Sequence, residues 1–174
     1  MELKYPVKLL NMKSKPTSNV LDGASLRKRL VSVALLWQKE MGVAPAITPA
    51  IAEYDAARLV GCDYKGYCQD GLGKSAVRKG FDFRFRGKRF QVKANRPAQD
   101  TAACKVTKIG KPKNYDWDVL IWVLYNSKWE IVEAWMWGRR AFRNRYKEKD
   151  HIRPKHLKQS PGQKIFPKPD SGNV

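Results

Sequence analysis

The chain has 174 residues, 43% of them apolar and 11% aromatic. That is about one domain's worth of sequence, able to bury roughly two thirds of the surface its unfolded form exposes, so a disulfide-stapled mini-protein is excluded. Its 35 Lys and Arg against 16 Asp and Glu give a formal charge of +19, and the surplus is uneven: residues 74–113 hold 13 basic and 2 acidic side chains and residues 139–174 hold 11 and 3. Such blocks suit a polyanion, because each Lys or Arg docked on a phosphate releases condensed counterions. An inert solvated surface and an anionic membrane surface are the alternatives. No apolar run approaches the roughly 18 residues of a membrane span, and Met1 to Leu10 interleaves lysines with its apolar residues where a signal peptide would have an unbroken core. The expectation is a soluble, cytoplasmic protein. Cys62, Cys68 and Cys104 lack the paired spacing of zinc sites and read as free thiols.

Residues 1–21 show no sustained period and read as an arm. From Asp22, Leu26, Leu30, Val33, Ala34 and Trp37 recur at three- and four-residue spacing, a helical pattern that Gly42 stops. A second helix is announced by Thr48 as N-cap and Pro49 in the first turn, and it ends at Gly61. Residues 61–80 hold five glycines and read largely as loop.

The period then switches to two. Phe81, Phe83 and Phe85 alternate with Asp82, Arg84 and Arg86, and Arg89, Gln91 and Lys93 alternate with Phe90, Val92 and Ala94. This is a β-hairpin pattern with one apolar and one polar face. A Gly87–Lys88 loop of type II′ sets Arg86 against Arg89, Arg84 against Gln91 and Asp82 against Lys93. Residues 95–114 read as a basic loop. Val119–Tyr125 has no polar alternation, as in a central strand covered on both faces, and Trp129–Trp137 forms a further strand. A basic helix is expected over 139–148. Residues 151–174, rich in proline and lysine, read as a loosely ordered tail. The domain proper is therefore 22–150, an α/β fold with a mixed central sheet flanked by helices.

The hairpin groups an acid, an amide and an amine, since directly opposed residues lie roughly 5 Å apart and diagonal ones roughly 7 to 8 Å. Phosphodiester cleavage requires oxygen ligands for a divalent cation and a positive charge beside the nucleophile or the phosphate. Asp82 and the Gln91 carbonyl can supply the oxygens and Lys93 the charge. The plain alternative is a solvated Asp82–Lys93 cross-strand pair, worth at most about 1 kcal/mol. Glu53 lies along a small-residue stripe with Ala56, Ala57 and Val60, where a carboxylate is costly unless a cation answers it; pairing with Arg58 or reaching water is the alternative there.

Glu53-Tyr-Asp-Ala-Ala-Arg-Leu-Val-Gly61, then Gly80-Phe-Asp82, then Gln91-Val-Lys93, resembles the PD-(D/E)xK nuclease superfamily, the restriction-endonuclease-like fold. The resemblance covers about residues 48–95, with the family's following strand and helix falling within 117–147. It implies a magnesium site with Glu53 and Asp82 as metal ligands, Gln91 in the acid position and Lys93 positioning or activating the attacking water. Two departures stand out: Phe81 where the name has proline, and Gln91 where an acid is commonest. The second removes a formal negative charge from the site. The implied activity is a magnesium-dependent DNA endonuclease acting on double-stranded DNA, with a homodimer as a further implication. Arg84, Arg86, Lys88 and Arg89 on the hairpin would hold flanking phosphates, and Arg96, Lys105, Lys108, Lys111 and Lys113 would line the groove. The competing expectation is an inactive DNA- or RNA-binding module of the same or another α/β fold.

Overall fold

The computed structural model describes residues 22–71, 80–112 and 114–168. Three helices, α1 (Gly23–Met41), α2 (Thr48–Leu59) and α3 (Tyr64–Gly71), precede the hairpin β1 (Phe83–Phe85) and β2 (Lys88–Asn95). After a long loop with one 3-10 turn come β3 (Val119–Tyr125), β4 (Ile131–Gly138), α4 (Arg139–Tyr146), α5 (Pro154–Leu157) and β5 (Gln163–Phe166). The strands form one mixed sheet in the order β1-β2-β3-β4-β5. The β2–β3 pair is parallel and the others are antiparallel. Fold class therefore agrees with expectation: a mixed sheet flanked by helices.

The unbroken apolar run of β3 is explained by its place in the middle. Val119, Ile121, Val123 and Tyr125 join one core with Val31 and Ala34 of α1 and Ile51, Ala52, Ala56 and Ala57 of α2. Leu120 and Trp122 join a second core with Trp117, Trp137, Phe142, Tyr146, Ile152 and Leu157. Four of the six tryptophans, Trp117, Trp122, Trp129 and Trp137, are at most 1% exposed, which makes them structural.

Four local expectations are corrected. First, the hairpin turns at Arg86–Gly87, with Phe83 opposite Phe90, Arg84 opposite Arg89 and Phe85 opposite Lys88. Both loop residues have positive φ, 47° and 74°, a type I′ turn, whose twist matches the flanking strands. Glycine at the second position and the Phe83–Phe90 stack, 4.8 Å between centroids, favour this register. The polar and apolar faces survive, because the slip between strands is two residues, but Asp82 now comes opposite Gln91 and not Lys93. Second, residues 64–71, expected as loop, are helical. Third, the tail is folded through Lys168: α5 docks Leu157 into the second core, β5 adds an edge strand, and a Cβ at Gly162 would lie 2.3 Å from Trp137 Nε1, so only glycine lets the chain close over that indole. Thr48 also does not cap α2. Its hydroxyl accepts from Trp129 Nε1 at 3.1 Å instead.

A buried ionic cluster fastens α1 to α2 and to the sheet. Arg27 donates to both carboxylate oxygens of Asp55 (2.6 and 2.7 Å) and to the Trp129 carbonyl (2.8 Å), while the Tyr125 hydroxyl donates to Asp55 at 2.8 Å. Asp55 is 5% exposed. Removing one partner of such a pair strands the other charge in low dielectric. Asp55→Ala is therefore expected to cost about 3–5 kcal/mol in urea unfolding, whereas Tyr125→Phe, which leaves the ion pair intact, should cost about 1 kcal/mol. Equal losses for the two variants would contradict this division.

Candidate active site

β2 outruns β1. Past Phe90 its outer edge has no backbone partner from β1, and the first half of α2 lies across it. Asp82 sits at the junction, just before β1. Its own N–H donates to the Phe90 carbonyl at 2.7 Å, and its Oδ2 accepts the Val92 N–H at 2.5 Å and the Gln91 amide Nε2 at 2.5 Å. The carboxylate thus takes over where the β1 backbone stops pairing, and this local bond fixes it at the strand edge.

A cavity of about 260 Å³ opens there, lined by Thr48, Pro49, Ala52 and Glu53 from α2, by Asp82, and by Gln91, Val92, Lys93 and Ala94 from β2. Glu53, Asp82, Gln91 and Lys93, the four residues singled out by sequence, therefore line one cavity. Glu53 arrives because Ala52 and Ala56, each at most 1% exposed, let α2 approach the sheet closely and leave the adjoining Glu53 at the edge of the contact. Gln91 is 9% exposed, so its polar end is used inside the cavity and not in bulk water.

Tyr67 of α3, in a stretch whose glycines predict a loop, belongs to the same place. Its hydroxyl is hydrogen-bonded to Glu53 and feels the charge of Asp82, and its ring meets Tyr54 and Phe83 edge-on. Burial first, and then electrostatic repulsion from its acidic surroundings with Glu53 foremost, push that hydroxyl up to about 12. It remains a hydrogen-bond donor across the physiological range and holds Glu53 in orientation. No sequence signal marks it, because its helix is interrupted by glycine and lacks an apolar period.

The donors are all hard oxygens: two carboxylates and one amide carbonyl, since Gln91 has committed its Nε2 to Asp82. Such a set fits magnesium better than a thiophilic metal. Among the described residues no group of three or more His, Cys, Asp or Glu side chains forms a metal cluster. Gln91 accounts for part of this, because an amide stands where a third acid could have been.

The basic residues divide by what their cations do. Arg84, Arg86 and Lys88 are exposed around the hairpin tip, with Arg84 over the Phe81 ring and Arg86 over Phe85. Arg89 is turned to Asp118, donating through Nε and Nη2 at 3.2 Å each; this holds the Asp118 carboxyl below its ordinary range. Arg96 lies 3.6 Å over the Trp129 ring and donates to the Ser127 carbonyl and to Gln38. Lys111 donates to the carbonyls of Lys147 and Lys149. Lys105 and Lys108 are exposed, and Lys113 lies outside the described residues.

The basic loop passes close to Lys93: a Cβ at Gly110 would lie 4.0 Å from Lys93 Cδ, and the Asn95 side chain donates to the Lys108 carbonyl at 3.1 Å. An Ile109–Ile152 bridge ties the loop to the C-terminal segment. Between them runs a groove of about 510 Å³ lined by Val106, Thr107, Lys108, His151, Arg153, Pro154 and Lys155. Arg153 and Lys155 belong to the folded surface of this groove, although the composition of their segment predicts a loose tail.

No protein-family model matches the chain, and no curated protein matches it. The fold agrees with the broad restriction-endonuclease-like architecture in topology only. Among the described residues no helix is long and apolar enough to cross a membrane.

The Tyr67 contact has a pH signature. With its folded value above that of an unfolded tyrosine, its contribution to stability is intact below pH 10 and is lost as pH rises to about 12, when the unfolded chain releases the proton first. Denaturation midpoints followed over that window should fall less steeply for Tyr67→Phe than for the native chain. Parallel slopes would remove the Glu53–Tyr67 bond from the account.

Proposed function

We propose that the protein is a magnesium-dependent endonuclease that hydrolyses phosphodiester bonds in double-stranded DNA, built as a Gln-x-Lys variant of the restriction-endonuclease-like fold. One observation carries this reading: Glu53, Asp82, Gln91 and Lys93, contributed by a helix, the strand entry and the next strand, border a single small cavity. Electrostatics support it, because a chain of net +19 has its carboxylate-bearing cavity beside a groove carrying Lys108, Arg153 and Lys155. Phosphate contacts of that kind set register and orientation on a duplex without reading sequence.

When bound, magnesium offsets the charge developing on the scissile phosphate and makes a water more acidic. The protein's own residues do the rest. Glu53, Asp82 and the Gln91 Oε1 hold the cation. Tyr67 keeps Glu53 oriented, and the Val92 N–H keeps Asp82 in place. Lys93 presents its ammonium to the attacking water or the scissile phosphate, so that the nucleophile is formed next to a positive charge. The exposed Arg84, Arg86 and Lys88 hold the flanking backbone.

A second reading, binding without cleavage, is favoured by Gln91 itself. An amide in the acid position lowers the negative charge available to a dication, and its Nε2 draws on the same Asp82 oxygen that accepts Val92. Supercoiled plasmid separates the two readings. With magnesium the native chain is expected to nick or linearise it, with chelator to leave it intact. Lys93→Ala should retain DNA affinity within about twofold while losing at least a hundredfold in cleavage rate, as expected for a group acting in the transition state. Cleavage by Lys93→Ala at the native rate would end the catalytic assignment, and tight, metal-independent binding by the native chain with no cutting would establish the second reading.

A further inference from the structure

Four of the eight residues of α4 are arginines and none is acidic. Phe142 and Tyr146 turn into the second core, while Arg139, Arg140, Arg143 and the Lys147 that follows are exposed. At about 100° per residue these four cations fall within an arc of about 100°. Local energetics argue against such a flank for its own sake. Arg139 and Arg140 occupy the first turn, where the helix dipole disfavours a cation, and Arg139 with Arg143, then Arg143 with Lys147, are like charges four residues apart. Neighbouring acids answer only part of this. Asp118 lies 3.7 Å from Arg139 but is shared with Arg89, and Glu148 lies 3.4 Å from Lys147 at the surface. Arg143 rests over the Tyr115 ring, and Arg140 makes no hydrogen bond or ion pair to a described residue. Several local preferences broken at one place are expected where a partner offsets the cost.

The flank also lies on the side of the sheet that carries Gln91 and Lys93. Across the parallel β2–β3 ladder Gln91 pairs with Leu120 and Lys93 with Trp122, and paired residues share a sheet face. Leu120 and Trp122 belong to the second core, on which α4 packs, whereas α1 and α2 pack on the other face. Arg145, on the opposite side of α4 from Lys147, donates to the Ser160 carbonyl near β5 at 3.0 Å. Arg139 and Arg143 instead adjoin Tyr115 and Asp118, and Lys111 donates to the Lys147 carbonyl at 2.6 Å, all of them in the connection from β2 to β3. The cations of α4 are therefore turned toward β2, and that same connection passes Lys93 at Gly110.

We propose that this flank of α4 is a contact surface for the phosphate backbone of duplex DNA, which approaches the cavity over the α4 face of the sheet and not over α1. The inference deepens the nuclease reading and rests on it for the identity of the polyanion. Arg139, Arg143 and Lys147 are each four residues apart, about 6 Å along the axis, comparable with the spacing of successive phosphates on one strand. The chain then continues from α4 into the groove wall of His151, Arg153 and Lys155, so the positive surface is continuous in sequence. A lipid surface is the poorer match. A basic helix that lies on a membrane needs large apolar residues beside its cations, and no large hydrophobic side chain of α4 is exposed.

Titration of a labelled duplex of about 30 base pairs with the full chain in chelator, over about 50 to 200 mM salt, tests the surface without any cleavage. Arg140→Gln, Arg143→Gln and Lys147→Gln combined should weaken binding at least tenfold and lower the slope of log affinity against log salt by about 2 to 3, near 0.9 for each lost phosphate contact. Glutamine is a good helix former, so circular dichroism should be unchanged. Arg140→Gln alone should lower the slope by about 1. Lys28→Gln, Arg29→Gln and Lys39→Gln, the same charge change on exposed residues of α1, should leave affinity within about twofold. Equal losses from the two triple variants overturn the proposal, because net charge alone would then govern binding. So does native affinity and slope in the α4 variant, or a native chain that binds no duplex in chelator. A chain that binds through α4 yet never cuts plasmid with magnesium leaves this surface standing and refutes the nuclease reading.

Discussion

The Asp82 carboxylate occupies a position that a backbone carbonyl would fill if β1 were longer. By accepting the Val92 N–H and the Gln91 amide, it ends the hairpin, satisfies the next donor on β2 and brings an acid to the open edge of a sheet. A buried or half-buried N–H left without an acceptor is costly, about 1–3 kcal/mol, so the contact is also a structural one. The residue that would hold a cation is thereby held by the strand it serves. Glu53 is fixed in the same spirit, by small residues that let α2 approach and by the Tyr67 hydroxyl.

This edge position has a consequence for charge. The exposed cations Arg84, Arg86 and Lys88 of the hairpin tip and Lys108 of the following loop lie outside the helix–sheet junction that carries the carboxylates of the cavity. The long connection from β2 to β3, free of α-helix among its described residues, puts Lys108 and Gly110 beside the Lys93 end of the strand and is pinned by the Ile109–Ile152 bridge. On the proposed reading, a polyanion attracted to Lys108, Arg153 and Lys155 would reach the cavity acids from this positive side.

Much of this was legible in the sequence, for reasons that differ by element. The period of two marked the hairpin and its faces, the uninterrupted β3 marked a strand covered on both sides, and the Glu53, Asp82, Gln91 and Lys93 set was found by its order on those elements. The register was missed because Gly87 fits either loop position, and only the Phe83–Phe90 stack and the twist of the strands choose between them. Helix α3 was missed because glycines dominate its local propensity while Tyr67 gains its packing from Tyr54 and Phe83. The C-terminal segment reads as disordered by composition, yet Leu157 and Ile152 reach a core made by residues far upstream. In α1 the period announces the helix, while Leu26, Leu30 and Val33, which have the spacing of a buried face, are 41%, 42% and 63% exposed.

The account rests on Glu53, Asp82 and the Gln91 Oε1 being able to share one hard cation. The direct measurement is anomalous diffraction from crystals of the native chain soaked in manganese, a magnesium surrogate with an X-ray signal. The expected result is one strong peak in the cavity bordered by α2 and β2, about 2–2.5 Å from a carboxylate oxygen of Glu53, one of Asp82 and the amide oxygen of Gln91. Manganese found only at other carboxylates, with this cavity empty at saturating metal, would contradict it.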